Sequence, residues 1–323
     1  TQLSGSDATG DWKLRAPAEI GVSSGQIKVK SLQVTSNRGE TLQFSTDLTL
    51  HPLRGTLYGE WHQLNLARAN PWLGRPRLTG HTTGELSIQW LEEDHLRLGG
   101  KVNLAGTFND IPLKVDLSRG LLKFDWSEKG LSASWEFEDA KSGKLWGNLS
   151  SPQPGRMVLP DRGRLDANWE GIDLSQFQPF LPRTLAIEGR LRGKLSGQWT
   201  DRMKRFGAAG ELKVSQGMIG WKHGADRITT ILQSAEVRWD WNDDVLRGSL
   251  SLALEEVGYL KGRFGLPLET HWPISVRDKG PIRLSLEGQF QEKGLVSTFF
   301  PELIRESRGK VDLDLNADGT WGR

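Results

Sequence analysis

WEGIDLSQFQPFLPRTLAIEGRLRGKLSGQW, residues 169–199, decides the architecture. Its first part, GIDLSQFQPFLP (171–182), gathers apolar residues on one side of a turn or two behind Asp173, a residue type that caps helix N-termini. Its second part alternates, so that Leu191, Leu195 and Trp199 share one face of a strand. The same order occurs earlier: Trp61, Leu64, Leu66, Pro71, Leu73, Gly80, Gly84, Leu86 and Trp90 match Trp169, Ile172, Leu174, Pro179, Leu181, Gly189, Gly193, Leu195 and Trp199 at offsets of 108 or 109 residues. A looser third copy places Phe290, Pro301, Leu303, Gly309, Val311, Leu313, Gly319 and Trp321 in that order. Each copy reads as a short apolar helix, a proline, a strand, a turn and a strand. Repetition at such a period is the signature of a quasi-linear array whose units contact mainly their neighbours.

Outward from this stretch, strict alternation of apolar and polar residues runs from end to end. Leu42, Phe44, Leu48 and Leu50 share a face, as do Val102, Leu104 and Phe108, and Leu131, Ala133, Trp135 and Phe137. Later runs align Val237, Trp239 and Trp241, then Leu250, Leu252 and Leu254, then Ile282, Leu284, Leu286 and Phe290, and finally Val311, Leu313 and Leu315. Period two with one greasy face marks half-buried strands. Turn signals at Asn37-Arg38-Gly39, Gly99-Gly100, Asn242-Asp243-Asp244 and Asp318-Gly319 recur about every ten residues, the spacing of consecutive hairpins. The expected fold is all-β: an elongated, antiparallel, repeat-built curled sheet with a few short amphipathic helices. The helices are expected within 171–182 and within KGLVSTFFPELIRE (293–306), capped by Asp173 and Ser297. Residues 1–323 read as one elongated β-groove piece with internal repeats near 61–168, 169–289 and 290–323.

Composition narrows function. Lys and Arg number 42 against 40 Asp and Glu, and no basic block stands out, which argues against a nucleic-acid binder. There is no Cys, so disulfides, thiolate metal sites and Cys nucleophiles are all excluded. No apolar run approaches the roughly 18 residues that cross a bilayer as a helix, and the start, TQLSGSDATG, lacks the pattern of a signal peptide. The last residues, DLNADGTWGR, follow a strand-and-turn pattern without a tapering tail, and the chain reads as an internal piece of a longer one.

From about residue 60 onward the chain resembles the TamB family of AsmA-like bacterial envelope proteins. The resemblance rests on the short helix ending in proline, on EGRLRGKLSGQW (188–199), on GAAGELKVSQGMIGW (207–221) and on ESRGKVDLDLNADGTWGR (306–323). It implies a periplasm-spanning protein of a Gram-negative bacterium, anchored in the inner membrane by a segment outside this chain, with an apolar trough that conducts phospholipid between the two membranes. It also implies a role in outer-membrane protein assembly with the barrel protein TamA. It implies no enzymatic activity, no cofactor and no catalytic residues.

The residues supply a mechanism for such a trough. Leu42, Phe44, Leu48, Leu50, Val102, Leu104, Phe108, Leu191, Leu195, Trp199, Leu250, Leu252, Leu254, Leu284, Leu286, Val311, Leu313 and Leu315 are the candidate lining for acyl chains of phospholipid. Transfer of an acyl chain from water gains about 0.8 kcal/mol per CH₂, roughly 13 kcal/mol for about sixteen carbons, and the gain is similar from one repeat to the next. The same alternation also fits an ordinary sandwich core. Two other functions stay open: a scaffold that pairs an open sheet edge with strands of outer-membrane barrels, and a Trp-dependent carbohydrate-binding module.

Chemistry-bearing constellations are sparse. Asp314, Asn316, Asp318 and Gly319 resemble the opening of a calcium loop, but no helix precedes them and they continue an alternating strand. The six His residues are scattered, and Glu92-Glu93-Asp94-His95 reads as a solvated hairpin turn. Glu136 and Glu138 are placed as the wet face of a strand rather than a glycosidase pair. No nucleophile elbow, phosphate loop or dinucleotide fingerprint occurs.

Overall fold

The computed structural model describes residues 4–7, 10–74, 77–92, 94–110, 113–141, 143–182, 184–202, 204–223, 226–271, 274–277, 279–293 and 308–320. They are almost entirely antiparallel β-strand. The chain divides into two units, Thr1–Ala140 with Leu145–Gly163, and Lys141–Lys144 with Arg164–Arg323.

The first unit holds β1 (Ser4–Asp7), β2 (Gly10–Leu14), β3 (Ile20–Ser23), β4 (Gln26–Ser36), β5 (Thr41–Leu50), β6 (Leu53–Asn65), β7 (Arg77–Trp90), β8 (Leu96–Asp110), β9 (Leu113–Ser127), β10 (Gly130–Asp139) and nearly all of β11 (Lys144–Ser151). β1 pairs with β2, β2 and β3 each pair with β4, and from β4 to β10 every strand pairs with the next.

The second unit holds nearly all of β12 (Gly163–Asp173), then β13 (Leu185–Thr200), β14 (Arg205–His223), β15 (Asp226–Asn242), β16 (Val245–Leu254), β17 (Gly258–Leu266), β18 (Pro281–Lys293) and β19 (Arg308–Thr320). It too is a meander, each strand from β13 to β19 pairing antiparallel with the next. β12 lies beside β13, where the Ser196 hydroxyl donates to Asp166 at 2.8 Å. Tight hairpins enforce the meander: Asp243 and Asp244, at φ 52° and 57°, join β15 to β16 in the left-handed geometry that matches strand twist.

Two expected turns are strand interior instead. Gly99 and Gly100 lie within β8, and Asp318 and Gly319 within β19. At Gly100 the missing side chain makes room for the Phe124 ring of the next strand, not for a change of direction.

The matched stretches fold alike. Between β6 and β7 stand a 3-10 turn (Leu66–Ala69) and one α turn (Asn70–Leu73); between β12 and β13 stands the 3-10 helix Leu174–Phe180. Asn65 caps the first by accepting from the Ala67 N–H at 2.9 Å, and Asp173 caps the second by accepting from the Ser175 N–H at 2.9 Å. The side-chain amides of Asn70 and Gln178 then clip each helical turn to the following strand. Asn70 accepts from the Leu78 N–H at 2.7 Å and donates to its carbonyl; Gln178 accepts from the Ile187 N–H at 3.3 Å and donates to the Leu185 carbonyl at 2.6 Å. The helix expected within 293–306 lies almost wholly outside the described residues, as do Pro301, Leu303 and Trp321.

A candidate apolar trough

Strand pairing converts the alternation into continuous apolar rows. In the second unit one row runs Leu191, Val214, Ala235, Leu252, Leu260, Gly288 and Leu313 across β13 to β19. The next runs Gly193, Leu212, Val237, Leu250, Gly262, Leu286 and Leu315, and the third runs Leu195, Gly210, Trp239, Gly248, Phe264, Leu284 and Ala317. In the first unit Val34, Leu42, Trp61, Gly84, Val102, Leu122 and Trp135 form one row from β4 to β10, and Leu32, Phe44, Gly59, Leu86, Gly100, Phe124 and Ala133 form another.

These rows are only half covered. Leu191, Leu195, Leu250, Leu252, Leu284 and Leu286 are of intermediate exposure, as are Val102, Leu104 and Phe108.

Burial is concentrated where the strands of the second unit end. At one end Trp221, Leu232, Leu254, Val257 and Phe290 form a buried cluster, with Trp221 fully buried. At the other end Trp199 is buried opposite Phe206, whose ring meets Trp241 edge-on at 4.8 Å. The Trp241 indole N–H donates to the Leu268 carbonyl at 2.9 Å, fastening the segment that follows β17 and its fully buried Pro267 over that end. Between these two closed margins the apolar rows remain half covered. In the first unit Trp126 is fastened in the same way, its indole N–H donating to the Gln153 carbonyl at 3.1 Å.

Glycines keep the middle shallow. A β-carbon on Gly84 would lie 2.6 Å from the Trp61 ring, and one on Gly193 would lie 2.7 Å from the Trp169 ring; Gly100, Gly210 and Gly248 stand likewise under Phe124, Trp239 and Phe264. Each large ring therefore lies down over a neighbouring glycine instead of standing up into the open space. The two Trp-on-Gly contacts occupy equivalent positions of the two matched stretches.

No family model, no curated protein and no solved structure matches the chain. Of the candidate lining residues, those of β13, β16, β18 and β19 share one apolar face in the second unit, and those of β5 and β8 share one in the first. Trp199 and Leu254 belong to the closed margins, while Leu50 and Leu315 are the most exposed, at 38% and 41%. The periodicity missed the glycines, Val214, Leu260, Phe264 and Leu122, whose membership follows only from register.

The opposite face is charged. Lys194, Glu211, Lys213, Glu236 and Arg238 form an ion-pair ladder over β13 to β15, with contacts from 2.5 to 3.7 Å. A polar cleft of about 690 Å³ opens at the hairpin ends near Thr200, Lys204, Asn242 and Asp244. Two of its carboxylates are engaged: Asp244 accepts from both the N–H and the hydroxyl of Thr270 and pairs with Arg277 at 2.9 Å, and Glu269 accepts from the Ser275 hydroxyl. Asp314, Asn316 and Asp318 lie along extended β19, where Asn316 donates to Asp314. Among the described residues no group of three or more His, Asp or Glu is placed to hold a metal ion.

Proposed function

We propose that this chain is a segment of a TamB-like envelope bridge whose apolar trough carries phospholipid acyl chains between the inner and outer membranes. The observation that supports this reading is the half-open apolar face of the second unit, walled at both strand ends and continuous across seven strands. A filled core would bury these rows; here they stay accessible while the margins close. Flat-lying rings leave room for a chain of methylenes, and each CH₂ removed from water is worth about 0.8 kcal/mol. Headgroups would remain in water, and no catalytic step is involved.

Native mass spectrometry with lipid extraction tests the reading. Wild-type protein expressed in a Gram-negative host is expected to retain phospholipid, and a Leu250→Asp/Leu284→Asp variant to lose it while circular dichroism remains β-rich. Two aspartates on a half-exposed face hydrate in place, whereas in a closed core they would unfold the unit. A lipid-free wild type whose variant unfolds would replace the trough with a core.

A further inference from the structure

Between β11 and β12 the chain makes an irregular excursion whose two flanks are held firmly. The Gly155 N–H donates to the Ser127 carbonyl at 2.9 Å, the Leu96 N–H donates to the Gly155 carbonyl at 3.0 Å, and the Gln153 side-chain amide donates to the Asp161 carboxylate and accepts from the Asp161 N–H. Gly155 and Pro160 are buried. Between them Met157, Val158 and Leu159 are 61%, 50% and 58% exposed. Three consecutive exposed apolar side chains on an anchored tip are costly in water unless something covers them. Arg156 and Arg162 are exposed on either side of the tip, and neither enters an ion pair among the described residues. Asp161 bonds to Gln153, Glu128 pairs with Arg97 at 2.7 Å, and Glu92 pairs with Arg54 at 2.9 Å.

We propose that this tip inserts into the interface of an anionic phospholipid bilayer. Successive side chains of an irregular segment point in different directions, so their cover must be apolar on every side, as the boundary between headgroups and acyl chains is. Flanking arginines match anionic headgroups just above that boundary. The inference stands whether or not the trough carries lipid.

Vesicle flotation tests it. The wild type is expected to float with vesicles of phosphatidylcholine plus phosphatidylglycerol. A Met157→Ser/Val158→Ser/Leu159→Ser variant should lose about tenfold or more in partitioning, and Arg156→Gln/Arg162→Gln should lose the preference over phosphatidylcholine alone. Because the chain has no Cys, Val158→Cys carries a single environment-sensitive dye, whose emission should shift to the blue on anionic vesicles. Absence of wild-type flotation, equal partitioning of the triple variant, or an unshifted dye would each overturn the proposal. A triple variant that no longer floats but keeps co-purified lipid would separate bilayer docking from carriage in the trough.

Discussion

Replacing Arg68 with Ala is expected to destabilise the first unit by about 3–5 kcal/mol, because it strands a buried carboxylate. Glu40 leaves only 3% of its side chain exposed and Arg68 only 12%. The carboxylate accepts from Arg68 Nε at 2.9 Å, from its Nη2 at 2.5 Å, from the Ser36 hydroxyl at 2.6 Å and from the Asn65 N–H at 2.9 Å. Arg68 in turn lies over the Trp12 ring at 4.5 Å, so the loss reaches β2 as well. The Arg68 hydrogen bonds, opposed by burial and helped by Ser36 and Asn65, hold Glu40 at a pKa of about 2. A lowered carboxylate pKa stabilises the fold above the ordinary value of 4.5 and ceases to do so as pH falls through about 2. Urea unfolding at neutral pH and near pH 3 should therefore show a wide gap between wild type and variant that narrows in acid, where the stranded carboxylate is protonated. An equal gap at both values would mean that Arg68 acts by packing alone. Glu40→Gln in the Arg68→Ala background should recover part of the loss at neutral pH.

Two glycines of the same apolar face should respond in opposite ways to alanine. Gly84→Ala would set a β-carbon 2.6 Å from both the Lys101 carbonyl and the Trp61 ring, so the strand and the ring must both shift, at a cost of about 1–3 kcal/mol. Gly59, between Phe44 and Leu86, has open space where the β-carbon would stand, and Gly59→Ala should be neutral or stabilise by up to about 1 kcal/mol through the unfolded chain. Similar unfolding midpoints for both variants would refute the flat-ring geometry.

Alternation made the strand faces legible, because period two reports which side chains share a side. The offset between Trp61 and Trp169 likewise marked stretches that fold with the same cap and clip. The sequence could not separate the two meanings of glycine: Gly99-Gly100 carries the same signal as a turn, and only the position of Phe124 on the next strand reveals a place kept empty for a ring. Nor does periodicity say what lies across a face, since that depends on whether any element folds over it. The fastened segment at 152–162 has no period at all, and the Glu40–Arg68 pair joins residues 28 apart on opposite sides of two hairpin strands. Such features arise from tertiary approach, where local pattern is silent.

The cap and the clip of each helical turn find their partners within nine residues of sequence. A stretch copied within such a chain thus brings its own corner fittings with it. Growth by tandem duplication need not wait for compensating changes elsewhere, and descendants of one ancestral cassette can differ in length while turning every corner alike.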